Sequence, residues 1–282
     1  MVATDSSGTD AAVAVVAPTT PVSERVLRIV VPVVMLILAI AAWYLYVVIS
    51  GQPKYILPSP IDVAGALLTD WPTLLPALGT TLTITLEALA LALIGGVGLA
   101  IILVQSRWIE LALFPFAVIL QVTPVVAIAP LLLIYTPNTQ TALLIVAFLV
   151  AFFPILSNMV QGLKSVDHNL LNLFDLYGAR RWQQLILLKI PASMPYFLTG
   201  LRIGGGLSLI AAVVAEFAAG TAGAGSGLAF RLLESGYRLN IPRLYAALFL
   251  LTFTGVAIFG ITSFITWLVL HRWHESAVRR EN

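Results

Sequence analysis

Residues 171–202 read LNLFDLYGARRWQQLILLKIPASMPYFLTGLR. This is a polar, charged island in a chain that is 60% hydrophobic and 10% charged. A soluble globular chain carries about 25% charged residues, so the composition requires an integral membrane protein. Within the island, the apolar run up to Tyr177 fits one or two turns of helix with a broad apolar face. Gly178 can take the left-handed conformation that ends a helix. A second helical piece is expected from Arg180 to Leu188, stopped by Pro191, which has no N–H and clashes with the preceding turn. A short helix-turn-helix between membrane spans must lie at the membrane surface or in a partner's groove.

Working outward, six apolar stretches are long enough to cross a hydrocarbon core of about 30 Å at about 1.5 Å per residue. They lie near 26–49, 78–104, 109–135, 140–162, 194–218 and 244–270. The expected fold class is all-α, a polytopic membrane protein of six helices. The third stretch contains Pro115, Pro124 and Pro130, so it is expected to be kinked and buried, where neighbours can satisfy the freed carbonyls. Short helices are expected near 63–68, after the Ser59-Pro60-Ile61-Asp62 turn, and near 228–235. The segment 1–24 lacks the basic start of a signal peptide and reads as a disordered tail.

Six spans place both termini on one side. Ten Lys and Arg residues then share the face of the 171–202 loop, against four on the other face: Lys54, Arg231, Arg238 and Arg243. The positive-inside rule makes the termini and the loop cytosolic. The expected layout is a cytosolic tail (1–24), a first span with an external loop (25–77), a core (78–272) with its loop at 165–192, and a cytosolic tail (273–282).

The spacing Gly178, nine residues, Leu188, Lys189, Ile190, Pro191 resembles the E-A-A-x3-G-x9-I-x-L-P loop of ABC-importer permeases. The strings GARRWQ, IPASMPYFLTGLRIG and YILPSPIDV are similar to the nitrate, sulfonate and taurine branch. The resemblance covers residues 56 to 272. It implies that the loop docks an ATPase through Asn172, Leu173, Phe174, Asp175, Tyr177, Gly178, Arg180, Arg181 and Pro191. Asn172, Leu173 and Phe174 stand where the family has E-A-A, and Asp175 is the nearest acidic group. The partners implied are two ATPase subunits, a second permease copy, an external solute-binding protein and a small solute; the surroundings are the lipid bilayer, and no nucleic acid is involved.

No cofactor is expected in this chain. GTAGAGSG at 220–227 lacks the strand of a dinucleotide fold, and no G-x4-G-K-[ST] exists, so ATP must be bound by a separate subunit. The chain has no cysteine, which excludes disulfides and thiolate sites. His168, His271 and His274 do not form a metal site, and the last two read as interfacial anchors.

Glu87, within the second span, is the sharpest candidate for a translocation pathway, because an intramembrane carboxylate is costly and functional by default. The bland reading is a carboxylate protonated or bonded to a neighbouring helix. Gln121, Thr123, Asn158 and Glu216 complete the expected pathway, although the uncharged groups equally suit bonds between helices. Arg202 and Glu216 bracket the fifth span and are expected to snorkel to its two interfaces. The glycines and alanines of that span allow close helix contact, either within the subunit or between two copies. A secondary transporter with Glu87 as proton site is the alternative, followed by a membrane-embedded enzyme. No clustered acid, base, nucleophile or metal set supports the enzyme, and no inverted repeat supports the secondary transporter.

Overall fold

The computed structural model describes residues 22–220 and 226–271, and all regular structure among them is helical. Residues 1–21 of the expected N-terminal tail, the C-terminal tail, the middle of the glycine-rich turn (221–225) and His274 lie outside the described residues, while 22–24, expected in the tail, are the first residues of a helix.

Helix α1 (Val22–Ser50) belongs to a unit that ends at Gln52. Its segment Val30–Ser50 is 21 residues long, enough for about 32 Å at the helical rise. The second unit starts at Pro53. There α2 (Pro60–Thr69) begins with a capping box: the Asp62 N–H donates to Ser59 Oγ, and the Ser59 N–H to Asp62 Oδ2, both at 3.2 Å. Pro60 takes the first position, where the missing N–H costs nothing. A hydrogen bond from Lys54, then one from Ser59, holds the Asp62 carboxyl below its usual range.

The bundle that follows contains α3 (Trp71–Gln105), α4 (Arg107–Val122), α5 (Val125–Tyr135), α6 (Thr139–Lys164), α7 (His168–Leu176), α8 (Arg181–Gln184), α9 (Ile190–Ala219), α10 (Leu228–Tyr237) and α11 (Ile241–Leu270). Five of the described helices are long and apolar enough to cross a membrane. A sixth crossing requires α4 and α5 to act as one broken span, because they meet at 104°. The kink expected in the third span is therefore a break. Its cause is local: Pro124 drives Thr123 out of the helical region, to φ −68° and ψ 126°. Thr123 then closes α4 by donating its hydroxyl to the Ile119 carbonyl at 2.6 Å. Pro115, Pro130, Pro154 and Pro195 stay inside their helices.

The centre is α6, packed against α3 and α9, and it is built on small residues. A Cβ at Gly162 would come within 2.8 Å of Tyr196 and 2.9 Å of Ser193, and one at Gly204 within 2.8 Å of Ile155. Ala211, Ala212 and Ala215 of α9 are buried with Ile84 and Ala88 of α3 and Val146 and Ala147 of α6. These contacts place most of the small face of α9 inside the subunit. Gly206 is different, with nothing within 4 Å of an added Cβ.

Pro191 does not stop a helix as expected. Between α8 and α9 the chain makes one wide turn at Leu185–Lys189, where the Ile190 N–H reaches back five residues to the Leu185 carbonyl. Such a turn takes an extra residue. It absorbs the conflict between the proline ring and the carbonyl four residues before it, which would break a regular helix. Arg181–Ala219 is consequently one continuous run of 39 residues. The second half of the expected helix-turn-helix is the start of a membrane helix.

Candidate functional site

The loop that begins at Ser165 is shaped by its own sequence. Asp167 caps α7 by accepting the Asn169 N–H at 2.8 Å. At the other end Gly178 has φ +68°. Its N–H donates to the Asp175 carbonyl, and the Ala179 N–H to the Phe174 carbonyl, both at 2.9 Å. This pair of bonds satisfies the last carbonyls of α7 and reverses the chain. No atom lies within 4 Å of a Cβ added at Gly178, so the glycine is required for its backbone angle alone.

The returning chain is tied to α7 by one side chain, Gln184, which donates to Asp175 Oδ1 at 2.6 Å. Within the return limb the Arg180 N–H donates to Gln183 Oε1 at 2.7 Å, which starts α8. Asp175 is thus engaged within the loop. Leu171 and Phe174 are half-buried, while Leu173 is 45% exposed and Tyr177 84%. Asn172, Arg180 and Arg181 are also exposed, and Pro191 is half-buried. Two further apolar side chains stand out from the loop: Leu176, 84% exposed, which belongs to the apolar run before Gly178, and Trp182, 66% exposed, which was not anticipated. The signal for Trp182 in the sequence was only its position beside Gly178 and the arginines. A helix with apolar side chains directed outward, flanked by guanidinium groups, matches the helix-in-groove mode of protein recognition.

The expected pathway residues do not converge. Glu87 lies near the middle of α3 on its exposed side, with Thr83 one turn away. It has no ion-pair partner among the described residues. Gln121 is exposed at the end of α4, next to the break. Thr123 and Asn158 are half-buried, and each bonds a carbonyl of its own helix, Thr123 to Ile119 and Asn158 to Pro154 at 2.7 Å.

Glu216 does not snorkel. It is 2% exposed, and its carboxylate accepts the Thr81 hydroxyl at 2.7 Å and the Ala229 N–H at 2.9 Å. Orphan amides at the start of α10 offer a better partner than distant water. Arg202 is half-buried, and its guanidinium lies 5.4 Å from the centroid of Phe259 in α11, a ring that is itself exposed, a cation–π contact. At the far end of α10, Glu234 pairs with Arg231 at 3.0 Å and Arg238 at 2.9 Å. The hydrogen bond from Arg231, foremost, keeps the Glu234 carboxyl below its usual range.

The profile of the binding-protein-dependent transport system inner membrane component matches residues 92–280. The chain is 33% identical to the riboflavin transport system permease protein of Chloroflexus aurantiacus, over 86% of this chain and 90% of that protein. It is 32% identical to the formylaminopyrimidine transport permease protein of Halalkalibacterium halodurans, over 80% of this chain and 88% of that one. The nitrate import permease protein of Synechocystis is 27% identical, over 88% of this chain and 90% of that one. The chain belongs to the binding-protein-dependent inner membrane components, the permease subunits of ABC transporters, and its function is transport and not enzymatic catalysis.

Proposed function

We propose that this permease pairs with a second copy of itself to form the pathway of an ATP-driven importer. Two ATPase subunits dock on the Gly178 loops, and a solute-binding protein delivers the solute at the opposite face. A single subunit is too small to surround a pathway, and two identical subunits close a symmetric assembly. The observation that carries the reading is the α7 turn: a glycine at φ +68° sets exposed apolar side chains at the tip of a loop whose return limb is the start of a 39-residue helix. A push on that loop is delivered directly to the bundle.

In this reading the loop face and both termini are cytosolic, following the distribution of basic residues. The tails at 1–24 and 273–282 flank a first span with external loop (25–77) and a core (78–272). ATP binds to the separate subunit. Glu87 and Gln121 are the pathway groups with polar atoms to offer a passing solute, since Thr123, Asn158 and Glu216 are engaged in the fold. An exposed carboxylate in mid-span repels anions. Together with the identities to the riboflavin and formylaminopyrimidine permeases, this favours a neutral or cationic heterocycle over an oxyanion.

Uptake by cells expressing the complete transporter, with riboflavin and nitrate as probes, tests the reading. Vanadate-sensitive uptake of riboflavin that survives a protonophore is expected. Uptake abolished by the protonophore and indifferent to vanadate would replace it with ion-coupled transport through Glu87.

A further inference from the structure

Helix α10 has no cap of its own. Its N-cap is Gly227, which supplies no side-chain hydrogen bond, yet its first turn is buried, with Leu228 and Ala229 both fully inaccessible. Buried amides at a helix start demand partners. Here they come from two other helices. The Leu228 N–H donates to Thr81 Oγ1 of α3 at 2.8 Å, and the Ala229 N–H to Glu216 Oε2 of α9 at 2.9 Å. Thr81 in turn donates its proton to Glu216 Oε1 at 2.7 Å. One hydroxyl and one carboxylate thereby join α3, α9 and α10. Gly227 is the only residue type that fits beside them, because a Cβ there would overlap the Glu216 carboxylate.

Glu216 is also the fourth residue from the end of α9, the continuous 39-residue run whose other end is Arg181, just after the Gly178 turn. That run is about 58 Å long at the helical rise. The loop and α10 therefore sit at opposite ends of a single rod.

We infer that Glu216, with Thr81, is a positioning residue for transport: it locks α10 to the end of this rod, so that α10 moves as one body with α9 when the Gly178 loop is displaced. The motion rests on the docking role proposed for the loop; the lock itself does not. Buried hydrogen bonds to a helix start are directional, and leaving them unmade is costly. They make a stiffer joint than apolar contacts alone.

The test uses the full chain in lipid nanodiscs with its ATPase, and three forms: wild type, Thr81→Val and Thr81→Ser. Valine keeps the shape and removes the hydroxyl; serine keeps the hydroxyl. Hydrogen exchange over 226–237 is expected to quicken about tenfold in Thr81→Val, the loss expected for a buried hydrogen bond, and to return to the wild-type rate in Thr81→Ser. Exchange in α6 should not change. Spin labels at Tyr237→Cys and Ile210→Cys, both exposed, report the second half. One narrow distance, equal without nucleotide and with ATP and vanadate, is expected in wild type and Thr81→Ser, and a second, nucleotide-dependent distance in Thr81→Val. Wild-type exchange in Thr81→Val would remove the lock, and an unchanged distance there would remove its part in the motion. Failure of the docking role shows elsewhere, as full ATPase retention by Gly178→Val, and the exchange result still decides the lock.

Discussion

Gln184 Nε2 donates to Asp175 Oδ1 at 2.6 Å, which ties α7 to the membrane helix that follows across the Gly178 turn. The apolar side chains of α7 are thus presented in one fixed orientation relative to the rod behind them.

Gly178→Val should destroy that orientation. A non-glycine residue at positive φ costs about 1 kcal/mol, and more when β-branched. Membrane insertion and dimerisation are expected to stay near normal, while ATPase co-purification and stimulated ATP hydrolysis fall sharply. Tyr177→Ala, which leaves the turn intact, should weaken docking on the order of tenfold. Phe174→Ala acts in the same direction by removing half-buried support. Pull-down of the ATPase in detergent measures all three, and wild-type retention in all three would refute the docking role.

Orientation can be read by thiol labelling, since the chain has no cysteine of its own. Asn172→Cys on the loop should be protected from a membrane-impermeant reagent in intact cells, and Tyr237→Cys should react. Tyr237 is the suitable position because it is 85% exposed, whereas Ser235 nearby is 1% exposed. Labelling at 172 with protection at 237 would invert the topology.

Glu87 on a lipid-facing surface would cost about 3 kcal/mol, so its exposed side is assigned to the pathway or to the second copy. Glu87→Gln is expected to change uptake severalfold with assembly intact. Uptake equal to wild type across a pH series would make it a structural residue.

Gly162→Ala addresses the bundle. The new methyl would meet Tyr196 and Ser193, neither of which can retreat without moving α9. Overpacking of this kind costs about 1–3 kcal/mol, and a lowered unfolding temperature in detergent is the expected reading. Gly206→Ala, with open space around it, should be neutral by the same measurement.

Local chemistry was legible in the chain itself. Hydrophobic runs of membrane length, the Ser59 to Asp62 helix start and the Gly178 turn each depend on neighbours within a few residues, and their positions follow from composition, capping and backbone sterics. The turn at Gly178 lies where its flanking residues place it for that reason. Proline was legible only in part. Pro124 breaks its helix by driving Thr123 out of the helical region, while Pro191 is absorbed by a wide turn, and both carry the same proline chemistry in sequence. Two acidic groups in the membrane helices show what tertiary structure alone decides. Glu87 and Glu216 are both carboxylates in apolar helices, and nothing in their flanking sequence distinguishes an exposed side from a buried one. Glu216 finds Thr81 across 135 residues of chain and a helix start that lacks its own cap. A buried polar group is held by partners, and partners that distant are brought together only by the packing of α3 and α9.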